Sequence, residues 1–260
     1  MQDFLKIFSP NHVLKAKTLT IIVTFQVVLA LCLWYMSGDL IPKPHEILKA
    51  LSTVLGQGLL SQMLISTKLA LHAILLATII SSLLSYATVM PFFRPITFIF
   101  TKFRYLPMVG LTFIFTLMSS GGYNLKLMMM LFGVTVFFVT NMYSIVKDIP
   151  REEYNYSRTL RMNEWTIVWY TVIRGRLASL IETLRQNFAI CWMMITMVEG
   201  LVRTDGGVGV LLNNDNKHMA LDNIFAIQLV IFFVGIGMDY LIGLLKNLIC
   251  PESKLALERK

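Results

Sequence analysis

Glu182 and Arg185 stand three residues apart inside one apolar run, and Glu199 and Arg203 stand four apart near its end. On a helix both spacings bring opposite charges together, where they can neutralise each other. An ionisable group near the centre of a membrane span costs roughly 2.5–3.5 kcal/mol. Paired charges of this kind either hold a helix bundle together or take part in gating and solute passage. Catalytic constellations are missing. His12, His45, His72 and His218 are far apart, and Cys32, Cys191 and Cys250 make an odd set tied to apolar runs, so neither a metal site nor a disulfide framework is expected. No G-x-x-x-x-G-K-[ST], H-E-x-x-H or G-x-S-x-G occurs. Gly206-Gly207-Val208-Gly209 lacks a helix-start phosphate motif and reads as a turn. Met128-Met129-Met130 and Met193-Met194 read as adaptable packing rather than a metal path. The sequence carries no enzyme site and calls for no cofactor of its own.

The elements that must position these charges follow from composition. The chain has 260 residues, is 56% hydrophobic and only 15% charged, and has a mean hydropathy of +0.66. A soluble domain carries about 25% charged residues. One soluble core of this size could not hide so much apolar surface, and disorder is excluded on the same ground. The apolar runs are continuous and too long for the roughly 10-residue strands of a membrane β-barrel. An all-α polytopic membrane protein with six transmembrane helices is therefore expected. The spans are read as 19–37, 64–90, 96–117, 125–146, 177–202 and 224–245. Each covers the roughly 20 helical residues a bilayer requires. The third holds Lys102, Arg104 and Pro107. The flank Tyr35–Asp39 lacks a small-residue cleavage site, which favours a retained anchor over a signal peptide. After Pro42 and Pro44, a short amphipathic helix is expected with Ile47, Leu48, Leu51, Val54 and Leu55 on one face.

Net charge is +8, and its placement sets the orientation. With the N-terminus inside, 16 of the 23 Lys and Arg residues fall on the inner side. Six fall outside, Lys126 and Arg203 among them, and Arg185 lies within a span. This asymmetry places both termini in the cytoplasm. The positive charge then marks the inner membrane face, with no role for nucleic acid.

The inner loop from Lys147 to Arg176 is the longest. Pro150 followed by Glu152 and Glu153 starts a helix well, because proline suits the first turn and carboxylates suit the positive end of the dipole. Tyr154, Ser157, Leu160 or Arg161, and Trp165 recur at helical spacing, giving an aromatic-apolar edge. Such an edge can dock a partner or pack back on its own bundle, and spacing alone leaves both open.

At this loop the chain resembles the permease subunit of binding-protein-dependent ABC importers of the nitrate/sulfonate/taurine group. Leu40 to Leu48 is similar to the family's L-x-P-S-P-x-E-V-L, and Arg104-Tyr105-Leu106-Pro107 to its R-x-I-P. Residues 150–165 align with P-x-E-L-x-E-A-A-R-S-L-G-A-S-x-W. Leu184-Arg185, Trp192 and Glu199 follow its L-R…W…E, Gly207-Val208-Gly209 its G-L-G, and Asp239 and Pro251 its D…P ending. Departures are Asn155-Tyr156-Ser157 in place of E-A-A, Arg161 in place of the motif Gly, and Arg174 in place of a Pro. Glycine at that position would permit an unusual backbone angle; Arg161 is expected not to.

The resemblance implies a type I ABC importer permease fold in one domain, 1–260, in a bacterial inner membrane. It implies a path for a small anionic or zwitterionic solute shared with a second permease subunit. Two cytosolic ATPases carrying ATP and Mg2+ and an extracytoplasmic solute-binding protein complete the machine. Segment 148–165 would be the coupling segment, with Tyr154, Asn155, Tyr156, Ser157, Arg158, Leu160, Arg161 and Trp165 toward the ATPase. Ser119, Ser120, Asn141 and Asn187 would face the path. The rival readings are a non-transporting membrane scaffold and a stand-alone secondary transporter. The latter predicts internal repeats, and none is evident.

Overall fold

The computed structural model describes residues 16–36 and 42–251. His12, positions 37–41 with Asp39 and Leu40, and the inner-side cations Lys6, Lys15, Lys254, Arg259 and Lys260 of the charge count lie outside the described residues. Among the described residues all regular structure is helical. The helices are α1 (Ala16–Tyr35), α2 (Pro44–Gly56), α3 (Leu59–Ala87), α4 (Phe93–Lys102), α5 (Met108–Met118), α6 (Gly122–Lys147), α7 (Arg151–Thr159), α8 (Glu164–Ile167), α9 (Leu177–Leu201), α10 (Val208–Lys217) and α11 (Leu221–Ile249). A π-helical stretch, Val168–Arg174, follows α8.

Four of these helices, α1, α3, α6 and α11, are long and apolar enough to cross a bilayer. The expected third span is broken. Phe93–Tyr105 and Met108–Met118 meet at 111°, and the pair is long and apolar enough for a fifth crossing only if counted as one broken span. The break sits at Leu106-Pro107, because the residue before a proline is driven to extended backbone. α9 has the length of a span but carries Glu182, Arg185 and Glu199.

α3 and α6 run parallel. His72, midway along α3, meets Tyr123 at the start of α6, the Ser81 hydroxyl bonds the Thr135 carbonyl further along, and Tyr86 and Val89 pack by Val146 and Ile149 at the far end. α9 runs antiparallel to both, with Cys191 beside Ala70 and Glu199 beside Ser66. α3 turns a stripe of small buried residues into this contact: Ser66, Ala70, Ala73, Ala77, Ser81 and Ser85. Small side chains let helix backbones approach where lipid removes the hydrophobic drive for association. Met129, Met130 and Val134 of α6 and Phe188, Trp192 and Ile195 of α9 fill the resulting core.

α2 buries Ile47 and Ala50 against Ala226 and its neighbours on α11, and Val54 in the main core. The expected apolar face is rotated, since Leu48 and Leu55 point outward.

Candidate functional site

The segment after α6 is built as two short helices around a turn. Pro150 is extended and caps α7, with Glu152 and Glu153 in the first turn. α7 stops at Thr159, so the continuous helix expected through Trp165 does not form and Trp165 belongs to α8. Arg161 is the reason. It adopts φ 57°, the left-handed region that glycine favours. The Arg161 N–H donates to the Arg158 carbonyl at 2.9 Å and the Met162 N–H to the Ser157 carbonyl at 3.4 Å. That is the Schellman pattern, which closes a helix C-terminus. The expectation that Arg could not supply glycine's backbone angle is thus corrected.

One side of α7 is braced. The Ser157 hydroxyl donates to the Glu153 carbonyl at 3.0 Å and lies 3.3 Å from the Thr171 hydroxyl. Arg176 donates to Glu153 at 2.7 Å. Tyr154 packs with Val146, Ile149 and Val172, and burial raises its phenol pKa. Arg158 grips Glu164 across the turn through two bonds, 2.8 and 3.2 Å. The guanidinium holds the Glu164 carboxyl below the usual carboxylate range. The other side is bare, with Tyr156, Leu160 and Trp165 exposed by 68%, 55% and 67%. Asn155 is exposed as well.

The intramembrane charges pair across helices. α11 lies antiparallel to α9, with the Trp192 indole donating to the Ile231 carbonyl. Arg185 clasps Asp239 through two bonds of 2.6 and 2.7 Å. Lys246 donates to Glu182 at 2.6 Å, while Arg185 and Glu182 are 3.8 Å apart. The expected i, i+3 pair is therefore the longest link of a four-residue chain. A carboxylate on the facing helix offers Arg185 the planar two-point geometry that a neighbour on its own helix does not.

Glu199 does not pair with Arg203. It is fully buried and accepts the Ser66 hydroxyl at 2.7 Å and the Gly209 N–H at 2.9 Å. Arg203 turns to the Asn213 amide oxygen at 3.2 Å. The glycine cluster is the N-terminus of α10, so a helix does start there. Its first N–H groups are occupied from within, Gly207 by Gln62, Val208 by Ser66 and Gly209 by Glu199. A helix N-terminus favours a carboxylate, and here the Glu199 side chain takes that place. Gly207 has φ 116°, and a Cβ there would overlap the Glu199 carboxylate. Lys126, read as a loop cation, is buried inside α6 and donates to the Thr204 and Gly206 carbonyls. Sequence reasoning missed this cluster. The signal available was a lysine at the second position of the 125–146 apolar run, which needed a partner.

The polar positions expected on a path separate. Asn141 is half-buried and lines a groove of about 490 Å³ with Ser144, Glu182, Gln186 and Lys246. Asn187 is fully buried and donates to the Thr183 carbonyl at 2.8 Å, which takes it off that groove. Ser119 bonds the Gly121 carbonyl in the turn between α5 and α6, next to the exposed Ser120.

A search of curated proteins gives no significant match. The family described as "Binding-protein-dependent transport system inner membrane component" matches residues 73–251, from α3 through the end of α11. That region holds α7, the α9–α11 charges and Glu199, while its partner Ser66 and the capping Gln62 precede it. The chain therefore belongs to the permeases of binding-protein-dependent ABC importers and is a multi-pass inner-membrane transport component.

Proposed function

We propose that α7 and α8 dock this permease onto a cytosolic ATPase, and that ATP-driven movement reaches the bundle through them. The observation that carries this reading is the exposed face of Tyr156, Leu160 and Trp165 on a segment braced from behind by Glu153–Arg176 and Arg158–Glu164. An apolar-aromatic edge on an otherwise charged helix fits helix-in-groove recognition. A brace lets a push at that edge move the bundle as a rigid body. ATP and Mg2+ sit on the ATPase in this reading. α9 serves as a sixth crossing beside the four long apolar helices and the bent pair. The groove around Asn141, Glu182 and Lys246 belongs to a path completed by a second permease subunit. The resemblance to the nitrate/sulfonate/taurine group supports a small anionic or zwitterionic solute, delivered by an extracytoplasmic binding protein.

Leu160→Asp tests the docking. It places a charge in an apolar groove, at a cost of about 3–5 kcal/mol when unpaired. ATPase capture in a pull-down should fall at least about a hundredfold, and substrate-stimulated ATP hydrolysis should fall with it. Membrane insertion should be unchanged, because residue 160 stands outside the helices that cross. Full capture and full stimulation would move coupling to another segment and favour a scaffold role.

A further inference from the structure

A cleft of about 880 Å³ opens between the bundle and α7, away from the docking face. Its lining includes Arg94, Lys147, Arg151, Tyr154, Arg158 and Glu164. Arg151, Tyr154, Asn155 and Arg158 recur at helical spacing and form one face of α7. Tyr156 and Leu160 lie about half a turn away, so the two faces are independent. Glu164 is the one carboxylate in the lining and is bound to Arg158. Arg94 donates its Nε to the Thr88 carbonyl at 3.1 Å and makes no ion pair among the described residues. The same holds for Lys147 and Arg151. Three cations thus converge on one cleft, none of them with an ion-pair partner among the described residues.

We infer that this cleft binds the phosphate of an anionic phospholipid headgroup from the inner leaflet. The inference rests on the reading that the α7 end faces the cytoplasm. Phosphate is the chemistry that two arginines and a lysine recognise best. Depth favours the lipid over a soluble anion. Two membrane-crossing helices end at the cleft, α3 at Ala87 and α6 at Lys147, which sets it at headgroup level. Phe92, in the turn leading to Arg94, is 73% exposed and suits acyl chains. A headgroup held there touches both the bundle and the inner face of α7, so it sets the position of the docking helix.

The test uses the purified full-length permease with lipids added in detergent, and native mass spectrometry to count those retained. Wild type should keep phosphatidylglycerol in preference to phosphatidylcholine. Raising salt should abolish the preference, because exposed charges are screened. Arg94→Gln/Lys147→Gln/Arg151→Gln should lower phosphatidylglycerol retention by roughly a hundredfold, at about fivefold per cation near an anionic surface. If the triple variant does not fold, Arg151→Gln alone should show the first, about fivefold, loss, since Arg151 is exposed and its side chain makes no bond among the described residues. Equal retention of both lipids by wild type would overturn the proposal. So would binding of inorganic phosphate without any lipid preference. A reporter fused after Asn163 separates the failures. An outside signal with selective retention intact overturns the inner-leaflet assignment through orientation, whereas an inside signal with no selectivity overturns the cleft itself.

Discussion

Arg161 carries the departure from the family's motif and also performs the motif's backbone task. A non-glycine residue in the left-handed region costs roughly 1–2 kcal/mol, and the Schellman bonds from Arg161 and Met162 hold it there. Arg161→Gly should remove that strain. Part of the gain is offset by glycine's larger entropy when unfolded, leaving about 0.5–1 kcal/mol. Slower amide hydrogen exchange at Arg161 and Met162 would register it. Faster exchange would show that the arginine side chain, and not the backbone, holds the turn. The replaced glycine was legible in the sequence. The φ of its substitute was not, because backbone angle at one residue is set by the bonds its neighbours close.

α9 and α11 show how far an element can be read alone. Their length and apolarity were visible in the sequence, as were the charges within them. Spacing on one helix offered Glu182 to Arg185, but packing offered Asp239 from the facing helix, at 2.6 Å against 3.8 Å. A double-mutant cycle should rank them. These side chains are about 40% exposed, so coupling is discounted for screening. Arg185→Ala with Asp239→Ala should show about 1 kcal/mol of coupling, and Arg185→Ala with Glu182→Ala less than half of that. The readout is stability of the purified permease in detergent. A larger coupling to Glu182 would return the pair to a single helix.

Across the whole molecule, the parallel run of α3 and α6 dictates what lies between them. Two parallel helices joined in sequence need a connector that runs back along them. α4 and α5 are that connector, despite their 111° bend. Reporters fused after Gly38, Gly122 and Asn214 should therefore read outside, and those after Met90, Asn163 and Ser253 inside. An inside signal at Gly122 would make α4–α5 a re-entrant loop and undo six crossings. Signals reversed at every site would instead keep the fold and overturn the positive-inside orientation.

Composition and hydropathy by themselves determined a helical membrane protein, and the α6, α9 and α11 boundaries fall within a few residues of the apolar runs. The order of short motifs along the chain identified the permease family. Both are local properties: a bilayer selects apolar length, and a motif is a pattern in chain order. Only the tertiary structure decided who pairs with whom. It sent Glu199 to the start of α10, buried Lys126 under the Thr204–Gly206 carbonyls, split segment 148–165 at Arg161 and bent segment 93–118 at Pro107. A charge buried in a low-dielectric bundle takes the partner that can reach it, and reach is fixed by helix packing between distant parts of the chain, 54 residues apart for Arg185 and Asp239, 80 for Lys126 and Gly206, and 133 for Ser66 and Glu199.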